Sequence, residues 1–398
     1  MHRLRGGGSG LKLARDQLTR AAYSYFALWG WFLYSFGPIV PILRQEQGTT
    51  RAVAGLHGTA LAGGSLLSAA VSVPLVRRYG RRAVLLVACA VVSLGVLTLL
   101  TVRGPAWTVP ACLLTGIGGA LGLNAVNPVL ADHHGELGAG AIGEANAVAV
   151  GAGVIAPLGV GAAVALGLTW RGATAVTLPL AVLVIILLWR APRLPALAKP
   201  VAPQNVSRGV PGRAFWLAWG VMIACVATEF CCTFWSADQL RTHVGLGSGT
   251  ASAAVSALLV GMTIGRLSSV PLTARWPVER LLAGAMILAL AGWALMWTAA
   301  SAVVAVTGLG VLGLGLALQF PLSLVRVMHA SGGRPDTANA LVSVGTGLAS
   351  GLAPFALGAL ADRVGARDGF LLVPALLASG VLLLALGRGP GARRLQQR

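Results

Sequence analysis

Apolar residues fall in long runs, broken by short clusters of Gly, Pro and Arg. A helix needs about 20 apolar residues to cross ~30 Å of hydrocarbon. Twelve runs meet that length: 20–43, 52–76, 82–102, 106–131, 142–168, 171–190, 213–239, 250–274, 280–299, 301–328, 337–361 and 369–387. The ~10-residue alternation of a membrane β-barrel is not the pattern here. Between the sixth and seventh runs lies a basic stretch with Pro192, Pro195, Pro200, Pro203 and Pro211, which reads as an extended linker. The pattern predicts an all-α integral membrane protein of twelve transmembrane helices in two pseudo-symmetric six-helix bundles. Their expected bounds are 1–191 and 213–398, joined by a linker at 192–212.

Composition agrees. Of 398 residues, 56% are hydrophobic and only 10% charged, against roughly 25% charged in a soluble domain. The 54 glycines suit close helix packing in a bilayer. A net charge of +19 raises the question of nucleic acid, but the arginines sit in short loop clusters, not along one face of a soluble module. No nucleic-acid partner is expected. With the N-terminus placed in the cytoplasm, 22 of the 30 Lys and Arg residues fall on that side, 7 fall opposite, and Arg266 lies within a span. The positive-inside rule then puts both termini in the cytoplasm of a cell inner or plasma membrane. The N-terminal residues show no small-residue cleavage site, so no cleaved signal peptide is expected. The five cysteines fall inside apolar runs without metal-ligand spacing, and neither a disulfide framework nor a metal site is expected. His133-His134 reads as a loop feature.

The halves repeat. Thr59–Leu75 matches Ser256–Leu272 at a shift of 197, Glu144–Val148 matches Thr337–Leu341 at 193, and Gly118–Asn124 lies over Gly313–Gln319 at 195. The last alignment sets Asn124 opposite Gln319. A parallel six-span repeat belongs to one large transporter class.

The repeat, the linker and the cluster Arg77-Arg78-Tyr79-Gly80-Arg81-Arg82 together resemble the major facilitator superfamily, over essentially the whole chain. That family's loop signature is Gly-x-x-x-Asp-Arg-x-Gly-Arg-Arg. This chain keeps Arg78, Gly80, Arg81 and Arg82 but carries Val73 at the glycine and Arg77 at the aspartate. The resemblance implies a conformational role for the loop, and the missing aspartate removes one latch. Gly151-x-Gly153-x-x-x-Pro157-x-Gly159-x-Gly161 resembles the family's Gly/Pro-rich element. Gly265-Arg266 and the Glu229…Trp235 word are similar to the fucose-permease-like branch. A second signature-like word, Gly358-x-x-x-Asp362-Arg363-x-Gly365-x-Arg367, falls on the opposite face, where the plain expectation is a tight turn with an Asp–Arg pair.

Ionisable groups inside spans are costly and are functional candidates by default. Glu229 lies about 24 Å along span seven, counted from Arg213. It is the first candidate to load and release a proton, the alternative being a hydrogen-bonded packing acid. Arg266, in span eight, would either bind an anionic solute or brace the halves, and its depth leaves pairing with Glu229 open. Glu144 reads as a wet carboxylate at a helix start, Asp238 as a surface partner of Arg241, and His57 as a packing histidine or proton relay. In the resembled fold, spans one, four, seven and ten line the cavity. That implicates Asn124, Asn127 and Gln319 as hydrogen-bonders, with Tyr34, Trp235 and other aromatics as walls. Trp107 and Trp170 read as interfacial belt residues.

The expected function is secondary active transport of a small organic solute by alternating access, coupled to protons, by a protein that works as a monomer. No phosphate loop, zinc spacing or nucleophile elbow argues for an enzyme, and no cofactor is implied. The rival reading is a transport-dead membrane receptor or sensor on the same fold.

Overall fold

A computed structural model of the chain describes residues 13–191 and 211–387, without the side chains of Val270, Pro335 and Asp336. Most of the expected linker and the terminal arginines lie outside the described residues, among them Arg3, Arg5, Arg193, Arg208, Arg388 and Arg398.

The described residues form helices joined by short turns. In chain order these are α1 (Gln17–Gln47), α2 (Arg51–Thr101), α3 (Pro105–His134), α4 (Gly138–Ala165), α5 (Thr169–Ala175), α6 (Thr177–Arg190), α7 (Arg213–His243), α8 (Ser248–Leu267), α9 (Ser269–Arg275), α10 (Val278–Trp297), α11 (Ala302–Ala317), α12 (Gln319–His329), α13 (Pro335–Val364), α14 (Ala366–Gly369) and α15 (Leu372–Leu386). Ten continuous stretches are long and apolar enough to span a membrane. Two of them, Arg51–Thr101 and Pro105–Ala165, run 51 and 61 residues, each enough for two crossings. The first is broken at Gly80 (φ 80°, ψ 160°) and the second at Gly135 (φ 54°), conformations open to glycine without strain. Twelve crossings result.

Four further breaks share one cause. Pro179, Pro271, Pro321 and Pro374 each lie three residues beyond a non-helical or turn position, at Val176, Ser268, Leu318 and Leu371. A proline supplies no N–H and its ring crowds the carbonyl four residues back, so the helix ends there. The expected spans 171–190, 250–274 and 301–328 are therefore each two helices: α5–α6, α8–α9 and α11–α12.

The repeat has a single register. A Cβ added to Gly64 would strike the Leu113 carbonyl and Ile117 amide; one on Gly261 would strike the same groups of Gly310 and Leu314. Gly116 meets Leu61 as Gly313 meets Leu258, and Gly118 meets Ala88 and Val92 as Gly315 meets Ala285 and Ala289. Every pair is offset by 197 (261−64), as are the starts of α4 and α13. The 193 and 195 alignments are thereby corrected. Asn124 corresponds to Pro321, and Gln319 corresponds to Gly122.

Ion pairs repeat with reversed polarity. Arg81, after the Gly80 turn, pairs with Asp132 at the end of α3; Glu279, at the start of α10, pairs with Arg326 of α12 at 3.2 Å. Arg82 donates to the Ala191 carbonyl at 2.6 Å, and the Arg78 guanidinium lies over the Tyr79 ring. The signature-like loop thus ties together the ends of three helices within the first half.

Candidate functional site

The two sets of helices, α1–α6 and α7–α15, meet along three seams. Gly37 of α1 abuts the Thr233 backbone of α7, with Phe36 edge-on to Phe234. Gly161 of α4 faces Gly249 and Ala253 of α8, where Ser256 donates to the Val154 carbonyl at 2.8 Å. The third seam joins α2 to α13. There Asp362 accepts from the Arg51 and Ala52 amides, both at 2.8 Å, and caps the exposed N-terminus of α2. Gly358 lets the Arg51 backbone approach closely, and Thr59 donates to the Gly351 carbonyl at 2.7 Å.

Asp238 completes this closure. It is 2% exposed and holds Arg51 at 2.7 Å and Arg44 at 3.7 Å, both from the other set. The expected surface pair with Arg241 is corrected to a buried bridge between the sets. The Asp362–Arg363 turn is likewise corrected: its carboxylate serves a helix from the other half, while Gly365 (φ 91°) makes the turn. These contacts cluster at the end holding the Gly48, Gly245 and Gly365 turns. Further along the α2–α13 seam, toward the terminus-bearing end, Gly347 packs on Leu66.

Between the seams, at mid-bundle, three of the expected residues come together. Arg266 Nη2 stands 3.8 Å from Glu229 Oε1, with Tyr34 nearby. Tyr34 belongs to α1, Glu229 to α7 and Arg266 to α8, so the cluster bridges both sets while its ion pair lies within one. Gly153 of α4 lies against the Tyr34 ring, leaving no room for a side chain. The Arg266 side chain is 37% exposed and Glu229 16%.

Other expected residues are placed elsewhere. Gln319 is buried and donates to the Gly315 and Ala285 carbonyls, facing α10. Trp235 is buried and donates to the Pro354 carbonyl at 2.8 Å, bracing the closed end. Asn127 donates to its own helix at the Leu123 carbonyl, and Asn124 is exposed in a small cavity beside Ser72, Val76 and Arg81. Several α1 aromatics pack into their own half: Tyr25 donates to the Gly118 carbonyl and Trp31 to that of Ala173. His57 is buried against Thr108, Glu144 is held by Arg15 and Tyr23, and all five cysteines are buried and free. Trp107 is exposed, whereas Trp170 is corrected to a buried residue that donates to Glu46 under the Arg171 guanidinium.

At the terminus-bearing end Asp16 caps α1 through the Thr19 amide and pairs with His133 at 2.7 Å, while His134 meets the Thr19 hydroxyl. Burial alone would raise the Asp16 carboxyl, but the hydrogen bonds from Thr19 and His133 outweigh it and hold the group below its ordinary range. Among the described residues no cluster of three metal-ligating side chains occurs.

The sequence profile of the Major Facilitator Superfamily matches residues 23–238, more than half the chain. Comparison with curated protein sequences finds no match. Among solved structures, a bacterial homolog of the human lysosomal transporter Spinster aligns over 95% of this chain and 97% of its own, at 16% identity and a TM-score of 0.77. A mutant of the nucleoside transporter NupG aligns over 94% and 99% (12% identity, TM-score 0.76), and the D-xylose-proton symporter over 94% and 97% (15%, 0.71). Such identities establish the fold, not a branch or a cargo. With twelve crossings, a 197-residue repeat and a family profile over its first half and beyond, the chain belongs to the Major Facilitator Superfamily and is a transporter, not an enzyme.

Proposed function

We propose that the protein is a secondary active transporter that moves a small organic solute by alternating access and couples it to protons through Glu229. The bundles 1–191 and 213–398 are the rocking units, and one copy of the chain suffices. One observation carries the reading: a carboxylate and an arginine inside spans seven and eight stand 3.8 Å apart, near Tyr34 of the other half, in a bundle closed at one end. A carboxyl whose countercharge stands outside hydrogen-bond range can exchange a proton as the site changes access.

Proteoliposomes carrying a trapped pH dye are the direct test. Sugars, nucleosides, amino acids and carboxylic acids are added in turn, and a coupled solute shifts the lumenal pH. Glu229→Gln should abolish that shift and leave exchange of solute at equal pH intact. Unchanged coupling in the variant removes Glu229 from the mechanism. Silence toward every solute favours the receptor reading.

The arginine distribution supports cytoplasmic termini in an inner or plasma membrane, so the end closed by Asp238 and Asp362 faces outward. In a background without native cysteines, Arg78→Cys should react with an impermeant maleimide only from the cytoplasm, and Arg103→Cys only from outside. The reverse pattern would invert the topology.

A further inference from the structure

Arg266 differs from most paired arginines among the described residues; Arg44 also stands off, 3.7 Å from Asp238, but that carboxylate is already held by Arg51 at 2.7 Å. Arg171 grips Glu46 with two nitrogens at 2.6 and 2.8 Å, Arg15 grips Glu144 with two at 3.0 Å, and Arg51 holds Asp238 at 2.7 Å. Each is a guanidinium closed on a carboxylate. At Arg266 the nearest carboxylate oxygen stands off at 3.8 Å, beyond hydrogen-bond range, which leaves the five-donor fork open to another acceptor. More than a third of the side chain is exposed. An uncommitted planar donor set at mid-membrane matches a carboxylate taken in bidentate fashion.

We propose that the central site binds a small organic monoanion, its carboxylate on Arg266, with a proton taken up on Glu229. This rests on the transporter reading above and names its substrate class. Charge balance gives the order of events. In the empty site Glu229 as carboxylate neutralises Arg266 across the 3.8 Å gap. A second carboxylate on the same guanidinium would leave a net negative charge in a low-dielectric site, which is costly. Protonation of Glu229 removes it. The site then holds one arginine cation, one solute anion and one neutral acid.

The titratable and charged groups set against Glu229 are Arg266 from α8 and Cys225 and Cys232 on its own helix, with Tyr34 from α1 beside Arg266. Thiols and phenols are ordinarily neutral at pH 7, so Arg266 is the only countercharge in this group. Anion binding should therefore tighten as the pH falls, and by linkage the anion should favour the protonated acid by the same factor.

The test uses thermal unfolding of the purified full-length protein in detergent, with three matched pairs: lactate and lactamide, benzoate and benzamide, nicotinate and nicotinamide. Alanine serves as a zwitterion. At least one acid should raise the melting temperature with saturation while its amide does not, more strongly at mildly acidic than at neutral pH. Glu229→Gln should keep that shift, flatten its pH dependence and tighten binding at neutral pH about tenfold. Arg266→Lys, which keeps the charge but loses the fork, should weaken binding about tenfold, and Arg266→Gln should abolish it. The proposal is overturned if none of the three acids acts, if an amide matches its acid, or if the shift survives Arg266→Gln. Binding of alanine that Glu229→Gln destroys would replace the anion with a zwitterion. An amide that binds and is carried in proteoliposomes leaves the transporter reading standing without the anion. An acid that binds but is never carried does the opposite.

Discussion

Replacing Asp238 with asparagine is expected to unlock the closed end of the bundle. The carboxylate is almost wholly buried and holds two arginines from the other half, so its loss strands Arg44 and Arg51 without their anion. Breaking a buried pair by removing one partner costs roughly 3–5 kcal/mol; with both arginines slightly exposed, about 3 kcal/mol is reasonable here. Because the pair crosses between the halves, the cost falls on the closed arrangement alone. A transporter's two arrangements differ by only a few kcal/mol, and every 1.4 kcal/mol is about tenfold, so the open fraction at this end should rise by roughly a hundredfold. Ser252→Cys, at a buried position in the α4–α8 region where the native hydroxyl donates to the Pro38 carbonyl, reports the change. Its reaction with an impermeant maleimide from the Gly48 side should accelerate by a similar factor in the Asp238→Asn background. Asp362→Asn weakens only the cap of α2 and should act in the same direction by about 1 kcal/mol. Equal labelling in Asp238→Asn and its parent would mean that the bridge does not hold the closure.

The second large effect concerns helix packing. Gly261→Ala should destabilise the protein by about 1–3 kcal/mol, since its methyl would strike the Gly310 carbonyl and Leu314 amide and force two helices apart. Gly310→Ala, on the facing helix, is the control. Its nearest foreign atom would be 3.8 Å away, so alanine's better helix propensity should make it neutral or stabilising by up to ~1 kcal/mol. The repeat doubles the experiment: Gly64→Ala should behave like Gly261→Ala, and Gly63→Ala, whose methyl meets only Leu113 Cδ1 at 3.7 Å, should be mild. Detergent melting curves separate the two classes. Equal losses at Gly261 and Gly310 would show that glycine at this crossing is not read through contact.

The crossings were legible because hydrocarbon imposes length on apolar runs, and the arginine-rich loops separated them. The repeat was legible too, but two of its three words were out of register for physical reasons. The Glu144 word at 193 is displaced by four residues, one helical turn, so the displaced match keeps its helix face and looks sound. The 195 alignment is displaced by two, which turns Gln319 away from the face it was assigned and into contact with α10. The meeting of Glu229 and Arg266 was obscured by counting each from a different membrane face. Helix α7 has 31 residues, about 46 Å, and overruns the hydrocarbon, so depth counted from Arg213 is too great. Counted from the loop they share, the residues lie 14 and 18 positions in, one turn apart and within reach of an arginine. Asp238 and Asp362 were misread because their partners sit in the other half, and no local pattern marks contacts between residues 187 and 311 positions apart.

The bridge at Asp238 leaves a mark on the opened state as well. When the halves part at that end, Asp238 and Asp362 stay on one wall of the mouth while Arg44 and Arg51 stay on the other. An entrance lined this way carries a transverse field. Anions arriving from that side are drawn to the α1–α2 wall and repelled from its opposite, so their capture rate should fall steeply with ionic strength. The ion pair that shuts the entrance thus becomes, once parted, its means of sorting what enters by charge.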